Sequence, residues 1–557
     1  MRTAVVSAVI AAIWAGAAAA APGGQGTEQG PGARIDATFS AFNRTTPGCA
    51  VGVEQNGKSL FAKGYGMADL EHGIPITPKT MFYMASVSKQ FTALTVLTLA
   101  KENKLALTDS VRKYVPELPA YADKITIYEL LTHTSGLRDY YTLGSLAGLP
   151  DDLPYKEDVV LRMLAQQHEL NFEPGTTYLY SNSGYFLLSV IVKRVTGKPL
   201  NAVARADLFD PLGMTMTRFQ HDHSAIIPNK AYGYDLRDDA WHTSNSMNDV
   251  VGAGGLYSSI DDMFHWMDNF EDPKVGAEAL AAMEAPGKLN DGKAIEYGMG
   301  LEPTTYRGLK VIEHGGALAG YRTEDMWFPS EKLSVVVLCN DGAASPGVFA
   351  RTIADLFLKD APKPAPAATE LVAKPAVIVD AKLLDAYAGD YQVTPGLILS
   401  LVRDKDHLDA RINAGGRMAM DAVSNTAFRM KEPQAEVDFA GAPGGAAETS
   451  AALHLGGSVL PMKRLDAPKP SAEQLAAYAG RFYSADLDVT YDVSAGEGGL
   501  QVRYPGGDLD LIPVGKDAFA ARVGTVTFIC TQDAPCDALS IDAGRALHMR
   551  FTRVTAR

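Results

Sequence analysis

The chain has 557 residues, too many for one hydrophobic core, and this length predicts two to four domains. Its formal net charge of -14 argues against nucleic acid or an anionic membrane surface as a binding partner. The charge by itself says nothing about the fold.

The N-terminus has the composition of a secretory signal. Arg2 is followed by a short apolar run and then by small residues, which predicts a signal peptide over residues 1–21 with cleavage near Ala20 or Ala21. The run is short for a membrane span, and no cysteine stands beside the cleavage site to carry a lipid. We therefore expect a periplasmic or secreted protein without a stable membrane anchor.

Two separate segments of the chain have the patterns of β-strands. Apolar runs that begin at Cys49 and Leu60 flank Asn56-Gly57, the dipeptide with the strongest local preference for a hairpin turn. Much later, residues 335–338 are continuously apolar, as in a central strand that is covered on both faces. Glycines 315 and 316, within a neighbouring predicted strand, indicate a place where another backbone, such as that of a substrate, approaches closely.

Ser86 stands where an apolar helix begins. Phe91, Leu94 and Leu97 share one face at helical spacing, which predicts a helix that is largely buried. Lys89 follows Ser86 by one turn and projects from the same side. Burial lowers the pKa of a lysine, and the neutral amine can then accept the serine proton.

The chemical motifs of this region are weak one by one. A second Ser-x-x-Lys, Ser110 to Lys113, follows a polar run and is typical of a capped helix start. His133, in a Thr/Ser/Gly loop, is better explained as part of a helix end than of a second hydrolase pair. Tyr180 and Asn182 would share one face of an extended segment, as many purely structural pairs do.

No motif predicts a metal or a cofactor. His221-Asp222-His223 resembles half of a metal site, but no third ligand follows at a useful spacing. The glycine-rich run over residues 252–255 precedes a helix that Ser258 or Ser259 would cap. It lacks the strand and the lysine of a phosphate loop.

The four cysteines leave two readings open. In an oxidising compartment Cys530 and Cys536 could close a small loop or remain free. Cys49 and Cys339 lie in predicted strands, where a buried free thiol is the ordinary alternative to a disulfide.

The C-terminal third contains a tandem repeat. An Ala/Pro-rich stretch over residues 359–378 predicts a semi-rigid linker. Beyond it, segments recur 91 positions apart, so that Tyr387 corresponds to Tyr478. Short alternating strands with glycine turns predict two small antiparallel β-barrels, over residues 379–467 and 470–557.

Three motifs together are specific. Ser86-Val87-Ser88-Lys89, Tyr180-Ser181-Asn182 and His314-Gly315-Gly316, in this order, resemble the active-site elements of the penicillin-recognising serine hydrolases, in their class C β-lactamase-like branch. The likeness covers about residues 33–358. It implies an α+β fold, an antiparallel sheet built from both ends of the domain and flanked by a helical subdomain, with the site between them. The first and last strands would then be neighbours, which would bring Cys49 beside Cys339.

The resemblance also implies a role for each residue. Ser86 would be the nucleophile, and Lys89 and Tyr180 would handle its proton. Asn182 would hold the substrate amide. The backbone N–H groups of Ser86 and Ala317 would form the oxyanion hole.

The third element departs from most of the family. Lys-Thr-Gly or Lys-Ser-Gly is usual where this chain has His314-Gly315-Gly316, so the lysine charge and the hydroxyl that engage a substrate carboxylate are both missing. A histidine offers only a partial positive charge near neutral pH. His314 and Gly316 remain candidates for substrate binding, but β-lactam hydrolysis and carboxypeptidase action become weaker expectations.

The tail adds a second resemblance. A catalytic domain of this branch followed by two lipocalin-like barrels is similar to the bacterial D-aminopeptidases, which release N-terminal D-residues from peptides. In those enzymes a loop of the last barrel reaches the active site and helps to recognise the substrate ammonium. The candidate loop here runs from Tyr504 to Asp508, with Asp508 as the ammonium ligand. An ordinary hairpin turn with a solvated aspartate explains the same residues.

We therefore expect an exported serine hydrolase that forms an acyl-enzyme on Ser86 and cleaves small peptides with D-residues. Three alternatives stay open: an esterase of the same branch, a β-lactamase or D-Ala-D-Ala carboxypeptidase, and a binding or sensor protein whose serine acylates without turnover. The expected partner is a small peptide or ester, and a homodimer is one option for assembly.

Overall fold

The computed structural model describes residues 30–150, 154–358, 362, 377–394, 397–413, 416–430, 435–440, 451–455, 458–465, 470–496, 499–531 and 535–554. The predicted signal peptide lies outside these residues, as does most of the predicted linker. Within the described ranges, no helix combines the length and the apolar character that a membrane crossing requires.

The first domain alternates short helices with strands that pair far apart in sequence. Its helices are α1 (Pro31–Thr38), α2 (Ser88–Lys101), α3 (Ile127–Leu131), α4 (Tyr140–Leu146), α5 (Glu157–Ala165), α6 (Asn182–Thr196), α7 (Leu200–Ala204), α8 (Asp210–Leu212), α9 (Ile260–Glu271), α10 (Ala277–Met283) and α11 (Pro346–Ala354). Its strands are β1 (Cys49–Gln55), β2 (Lys58–Tyr65), β3 (Met67–Asp69), β4 (Ile74–Pro75), β5 (Phe82–Tyr83), β6 (Arg218–Phe219), β7 (Tyr234–Arg237), β8 (Ala240–Thr243), β9 (Leu256–Ser258), β10 (Glu302–Tyr306), β11 (Leu309–Leu318), β12 (Tyr321–Phe328) and β13 (Leu333–Cys339).

Six of these strands form one antiparallel sheet in the order β10-β11-β12-β13-β1-β2. The predicted hairpin is confirmed: Asn56 and Gly57 have φ values of 54° and 64°, which suit the two central residues of a type I′ turn between β1 and β2. Every residue of β13 is buried, as predicted for a central strand. The first and last strands pair, with Cys49 opposite Cys339 and joined to it by a disulfide.

The sheet separates two apolar layers. On one face, Ile35 of α1 and Ile353 of α11 pack with strand residues such as Val51. The other face meets the helical subdomain, where α9 lies so close that a Cβ at Gly52 would stand 2.6 Å from a methyl carbon of Ile260. Helix α2 is buried almost throughout, as its sequence predicts, and it packs against α6 in the middle of this subdomain. The residues that follow β5 therefore lie between the sheet and the helical subdomain.

The C-terminal region forms two closed barrels of eight antiparallel strands, as predicted. The first barrel consists of α12 (Ala381–Tyr387), β14 (Gly389–Thr394), β15 (Leu397–Asp404), β16 (His407–Ile412), β17 (Met418–Ala422), β18 (Ala427–Met430), β19 (Ala435–Phe439), β20 (Ala451–Leu455) and β21 (Ser458–Arg464). The second consists of α13 (Ala472–Tyr478), β22 (Gly480–Ser484), β23 (Val489–Gly496), β24 (Gly499–Tyr504), β25 (Gly507–Gly515), β26 (Ala518–Ala521), β27 (Gly524–Ile529), β28 (Ala538–Ala543) and β29 (Ala546–Arg553).

Both barrels close in the same way. The last strand pairs with the first, and it carries an arginine that donates hydrogen bonds to carbonyl oxygens at the end of the barrel's helix. Arg464 bonds Ala386 O and Ala388 O at 2.6 and 2.8 Å. Arg553 bonds Ala479 O and Ala477 O at 2.7 and 3.0 Å. The sequence repeat is therefore a repeat of one structural unit.

The two barrels differ in their relation to the first domain. The core of the second barrel is continuous with the core of the helical subdomain, whereas the core of the first barrel is a cluster of its own. The Tyr491 hydroxyl of the second barrel donates to Leu146 O at the end of α4, at 2.7 Å. A disulfide also joins Cys530 to Cys536 in this barrel.

Candidate active site

Ser86 is the accessible residue of a buried segment. It lies in a single turn of 3-10 helix, Ala85–Val87, that leads directly into α2. Between residues 81 and 97 every residue except Ser86 is buried. The preceding Ala85 has a φ of 47°, in the left-handed region that residues with a side chain rarely occupy. The turn thus exposes one hydroxyl at the start of a helix whose other residues form the core.

Lys89 holds the hydroxyl of Ser86. Its Nζ lies 3.1 Å from Ser86 Oγ, 2.9 Å from Asn182 Oδ1 and 2.8 Å from Ala253 O. Burial, and then the charge of Arg545, keep the pKa of this amine well below its ordinary value. Two of the three neighbours can only accept hydrogen bonds, so the two N–H groups of a neutral amine point to them. The lone pair then faces the Ser86 hydroxyl.

Asp139 fixes the orientation of the Asn182 amide. Asp139 Oδ2 accepts from Asn182 N at 2.7 Å and from Asn182 Nδ2 at 2.9 Å, which turns Asn182 Oδ1 towards Lys89. Asp139 Oδ1 caps α4 by accepting from the N–H groups of Tyr141 and Thr142. This buried carboxylate therefore aligns the amide that in turn orients the lysine.

Tyr180 lies over the same group of atoms. Lys89 Nζ is 4.7 Å from the centroid of its ring. Its hydroxyl is buried without a hydrogen-bond partner among the described residues, and burial raises its pKa while the neighbouring Ser86 hydroxyl lowers it. The ring packs on His133, with centroids 4.1 Å apart, and His133 Nδ1 accepts from Ser181 N at 3.2 Å. His133 is thus a positioning residue for Tyr180 at the end of α3.

His314 is a neutral structural group in this arrangement. Its Nδ1 lies 2.7 Å from Gly315 O and its Nε2 lies 3.1 Å from the Tyr297 hydroxyl. A proton on Nδ1 therefore donates to the backbone, and Nε2 accepts from the tyrosine. Burial is the largest cause that lowers the pKa of His314, to about 3. The partial positive charge expected from the sequence is absent near neutral pH.

Strand β11 packs directly on the turn that carries Ser86. A Cβ at Gly316 would lie 2.5 Å from Met84 O and 3.2 Å from the Ala85 side chain, so only glycine fits there. Thr323 of β12 donates from its hydroxyl to Met84 O at 3.0 Å. Ala317, the next residue of β11, is exposed. The predicted third element therefore borders the Ser86 turn through its backbone.

The second barrel reaches this group through a hairpin other than the predicted one. Asp508 Oδ1 accepts from Arg503 Nε at 3.0 Å, and the turn before it packs against Gly148. It is the turn between β28 and β29 that extends to Tyr180, where the guanidinium carbon of Arg545 lies 4.7 Å from the ring centroid. The backbone oxygen of Arg545 accepts from Asp139 N at 3.1 Å. The second barrel therefore brings a cation, Arg545, to the ring of Tyr180, and Asp508 as an ammonium ligand stays a prediction.

A buried ion pair seats the barrel beside the site. Arg138 is 2% exposed, and its Nη1 lies 2.5 Å from Asp486 Oδ2 in the turn between β22 and β23. Its other guanidinium nitrogens donate to the backbone oxygens of Leu547 and His548 at 3.1 and 3.2 Å. Arg138 immediately precedes Asp139. The attachment of the second barrel and the orientation of Asn182 therefore depend on adjacent residues.

The other motifs lie apart from Ser86 or support it indirectly. The Ser110 side chain caps a short helical turn, as predicted, and Ser259 caps α9. The glycine-rich run contributes Ala253 O to Lys89. His223 Nδ1 lies 2.8 Å from Asp249, a carboxylate that the sequence spacing did not suggest. Asp139 could have been found as a helix cap before Tyr140, but no local pattern marks Arg545.

An accessible serine beside a buried lysine with a lowered pKa, with a tyrosine and an asparagine oriented around them, is the arrangement of a serine hydrolase of the penicillin-recognising type. The chain belongs to the beta-lactamase family, whose family model, described as Beta-lactamase, matches residues 35–358.

Known relatives agree with this class. The D-aminopeptidase of Gluconobacter oxydans is 32% identical over 58% of this chain, and the match spans 61% of that relative's length. The D-aminopeptidase of Cereibacter sphaeroides is 27% identical over 88% of this chain and 89% of its own. The structure of an octameric penicillin-binding protein homologue from Pyrococcus abyssi covers 78% of this chain and 99% of its own, with a TM-score of 0.55 and 22% identity, which shows the fold alone. Together the relatives support a serine hydrolase of the D-aminopeptidase kind.

Proposed function

We propose that the protein is an exported hydrolase that forms an acyl-enzyme on Ser86 and cleaves amide bonds of small peptides with a D-residue at the N-terminus. The observation that carries the proposal is the environment of Lys89 Nζ, in which two carbonyl acceptors leave the lone pair for Ser86 Oγ at 3.1 Å. The substrate class is supported by the relatives named D-aminopeptidase.

The first step is acylation. Ser86 Oγ forms a bond to the carbonyl carbon of the peptide while its proton passes to Lys89 Nζ. The backbone N–H groups of Ser86 and Ala317 stabilise the negative charge that develops on the carbonyl oxygen. The C–N bond then breaks, and the leaving amine takes a proton, which restores the neutral lysine.

Tyr180 is suited to deliver that proton. Its hydroxyl is buried, protonated and near Ser86, so it can donate to the leaving nitrogen while it recovers a proton from Lys89. In deacylation the same groups act in reverse. A water gives its proton to this pair, its oxygen bonds to the acyl carbon, and Ser86 leaves as the free hydroxyl.

Export is supported by two features of the chain. Its N-terminus has the composition of a cleaved signal over residues 1–21. Both cysteine pairs, Cys49 with Cys339 and Cys530 with Cys536, are joined as disulfides, which persist in oxidising compartments.

Labelling with a fluorophosphonate, followed by mass spectrometry, tests the nucleophile. We expect one adduct, on Ser86, that Ser86→Ala and Lys89→Met abolish. Ser110→Ala is the matched control, because it alters the second Ser-x-x-Lys, which only caps a turn. An adduct elsewhere, or none, would contradict the proposed mechanism.

Turnover of D- and L-aminoacyl nitroanilides beside simple esters tests the substrate class. We expect hydrolysis of the D-aminoacyl amides to exceed that of the L-forms and to require a free amino group. Turnover of esters alone would favour the esterase, and a lasting adduct without turnover of any substrate would favour a binding protein. Detection of the precursor and the processed chain in cell fractions tests export.

A further inference from the structure

The guanidinium of Arg545 lies over the ring of Tyr180 at the candidate active site. Its central carbon lies 4.7 Å from the centroid of the Tyr180 ring, and the side chain is half-buried. Among the described residues, no hydrogen bond or ion pair engages its five N–H donors. The other arginines that bind this barrel's own residues, such as Arg503 and Arg553, are paired with a carboxylate or with carbonyl oxygens.

The other basic groups of the site cannot supply this charge. Burial lowers the pKa of Lys89, His133 and His314, which disfavours the charged form of all three. The carboxylate of Asp139 accepts hydrogen bonds from four N–H groups, two on each oxygen, so its acceptors are already used. Burial raises the pKa of Glu302, a half-buried carboxyl on β10, to about 7, so its charge near neutral pH is incomplete. Arg545 is therefore the fixed positive charge of this group.

The turn that carries Arg545 is held rigidly against the first domain. Arg545 O accepts from Asn171 Nδ2 at 3.0 Å as well as from Asp139 N, and Leu547 N donates to Asn171 Oδ1 at 2.7 Å. A guanidinium on such a support is pre-organised, which lowers the cost of binding an anion.

The barrel fold does not require an arginine at this position. The turn lies between Ala543 and Ala546, which pair across β28 and β29. In the first barrel the matching pair is Leu455 and Ser458, and the two residues between them in the sequence are both glycine. The arginine is thus specific to the barrel that adjoins Ser86.

We propose that Arg545 binds a carboxylate of the substrate, so that the preferred substrates are very short peptides whose free C-terminal carboxylate lies close to the scissile bond. A planar guanidinium matches a carboxylate through two parallel hydrogen bonds. This cation, supplied by the second barrel, takes the part of the lysine that the third motif lacks. The inference rests on the proposed peptidase activity and narrows its substrate class.

A simpler role for Arg545 is electrostatic support of Lys89 and packing on Tyr180. The two roles differ in what they do to a substrate without a carboxylate. Electrostatic support affects every substrate alike, whereas a carboxylate-binding residue affects only substrates that carry the carboxylate. The ratio of kcat/KM for a peptide acid to that for its amide therefore separates them.

The test compares D-alanyl-D-alanine with its C-terminal amide. For the wild-type protein we expect kcat/KM to be about tenfold or more higher for the acid, and Arg545→Gln to reduce this ratio to about one. Arg545→Lys, which keeps the charge but loses the paired geometry, should retain part of the preference. Arg550→Gln, an exposed arginine further along β29, is the matched control and should leave the ratio as it is. Equal rates for acid and amide in the wild-type protein, or an equal loss on both in Arg545→Gln, would overturn the proposal.

Binding to the Ser86→Ala variant keeps the two proposals separate. Calorimetry with the same acid and amide should show tighter binding of the acid, and the additional substitution Arg545→Gln should remove the difference. If the wild-type protein cleaves neither compound but the acid still binds more tightly, the peptidase proposal fails and the Arg545 proposal stands. If acid and amide bind equally, the Arg545 proposal fails whatever the activity.

Discussion

The two barrels have the same topology, but only the second is built into the catalytic domain. Both close with an arginine of the last strand on the end of a short helix, through Arg464 in one and Arg553 in the other. The core of the second barrel nevertheless continues into the helical subdomain, while that of the first is separate. A repeated unit can therefore be a structural part of an active site in one copy and a separate module in the other.

The residues that differ between the copies explain the difference. Tyr491 pairs opposite Phe482 and bonds Leu146, whereas Leu399, which pairs opposite Tyr391 in the first barrel, offers no hydroxyl. Four residues, among them Asp486, separate the end of β22 from the start of β23, whereas two residues of the sequence separate β14 from β15. The shared residues build the barrel, and the differing ones attach it.

Loss of the buried ion pair should have the largest effect on this attachment. Arg138→Met removes one ion pair of the buried Asp486 carboxylate and leaves His168 as its remaining side-chain partner. We expect this to reduce the free energy of unfolding by about 3 kcal/mol. Activity should fall with it, because the adjacent Asp139 orients Asn182. Chemical denaturation and the rate of Ser86 labelling measure the two effects.

Arg403→Met in the first barrel is the control for that substitution. Its ion pair with Asp385 is exposed, so we expect a change within about 1 kcal/mol and normal labelling of Ser86. Similar losses in the two variants would show that the barrels are coupled to the catalytic domain to the same degree, contrary to the separation of their cores.

A methyl group at the interface should have the next largest effect. Gly148 has a φ of 71°, and a Cβ there would lie 2.4 Å from Gly506 N in the second barrel. Gly148→Ala should therefore cost about 2–4 kcal/mol, the sum of backbone strain and a clash that displaces the barrel. Gly308→Ala has the same strain at φ 77° but faces nothing closer than 3.7 Å, and should cost about 1 kcal/mol. Equal melting temperatures for the two variants would contradict a tight interface at Gly148.

The fold was predictable where its signals are local. Asn56-Gly57 specifies a hairpin through its own backbone preferences, and the apolar run of β13 predicts burial on both faces. The repeat revealed two barrels because corresponding residues recur at a fixed spacing. Each of these signals lies within one element or between two copies of an element.

The candidate site, like the fold, was predictable only where its signals are local or come from the resemblance to a family. Ser86 and Lys89 are one helical turn apart, and the resemblance to a family supplied Tyr180 and Asn182. Arg545 could not be found in this way, because its position depends on how two domains pack rather than on its neighbours in sequence. Asp508 was predicted from the resemblance, because a carboxylate suits an ammonium ligand, and the turn before it packs on Gly148.

Removal of one hydroxyl should have a smaller effect. Tyr491→Phe deletes the hydrogen bond to Leu146 O across the interface, and Tyr391→Phe deletes a bond to Tyr387 O within the first barrel. Each should cost about 1 kcal/mol. We expect only Tyr491→Phe to slow the labelling of Ser86, measured at several temperatures below the melting transition. Slower labelling in Tyr391→Phe would mean that the first barrel also supports the site.

The smallest effect concerns pH. Burial and the charge of Arg545 both disfavour protonated Lys89, so its pKa in the folded protein is lowered, and activity should be present above that pKa and lost as the pH falls through it. Arg545→Gln removes one of the two causes and should move this acid limb to higher pH. The peptide amide is the appropriate substrate, because it has no carboxylate for Arg545 to bind.

One arginine from each barrel provides a control for this pH measurement. Arg550→Gln removes the same charge from an exposed position of the second barrel, and Arg464→Gln removes it from the first, so neither should move the acid limb. High salt should screen the effect of Arg545 only in part, because the side chain is half-buried beside Tyr180. An acid limb that stays fixed in Arg545→Gln would mean that burial alone keeps Lys89 neutral. The second barrel would then contribute contacts to the active site but no electrostatic effect on the pKa of Lys89.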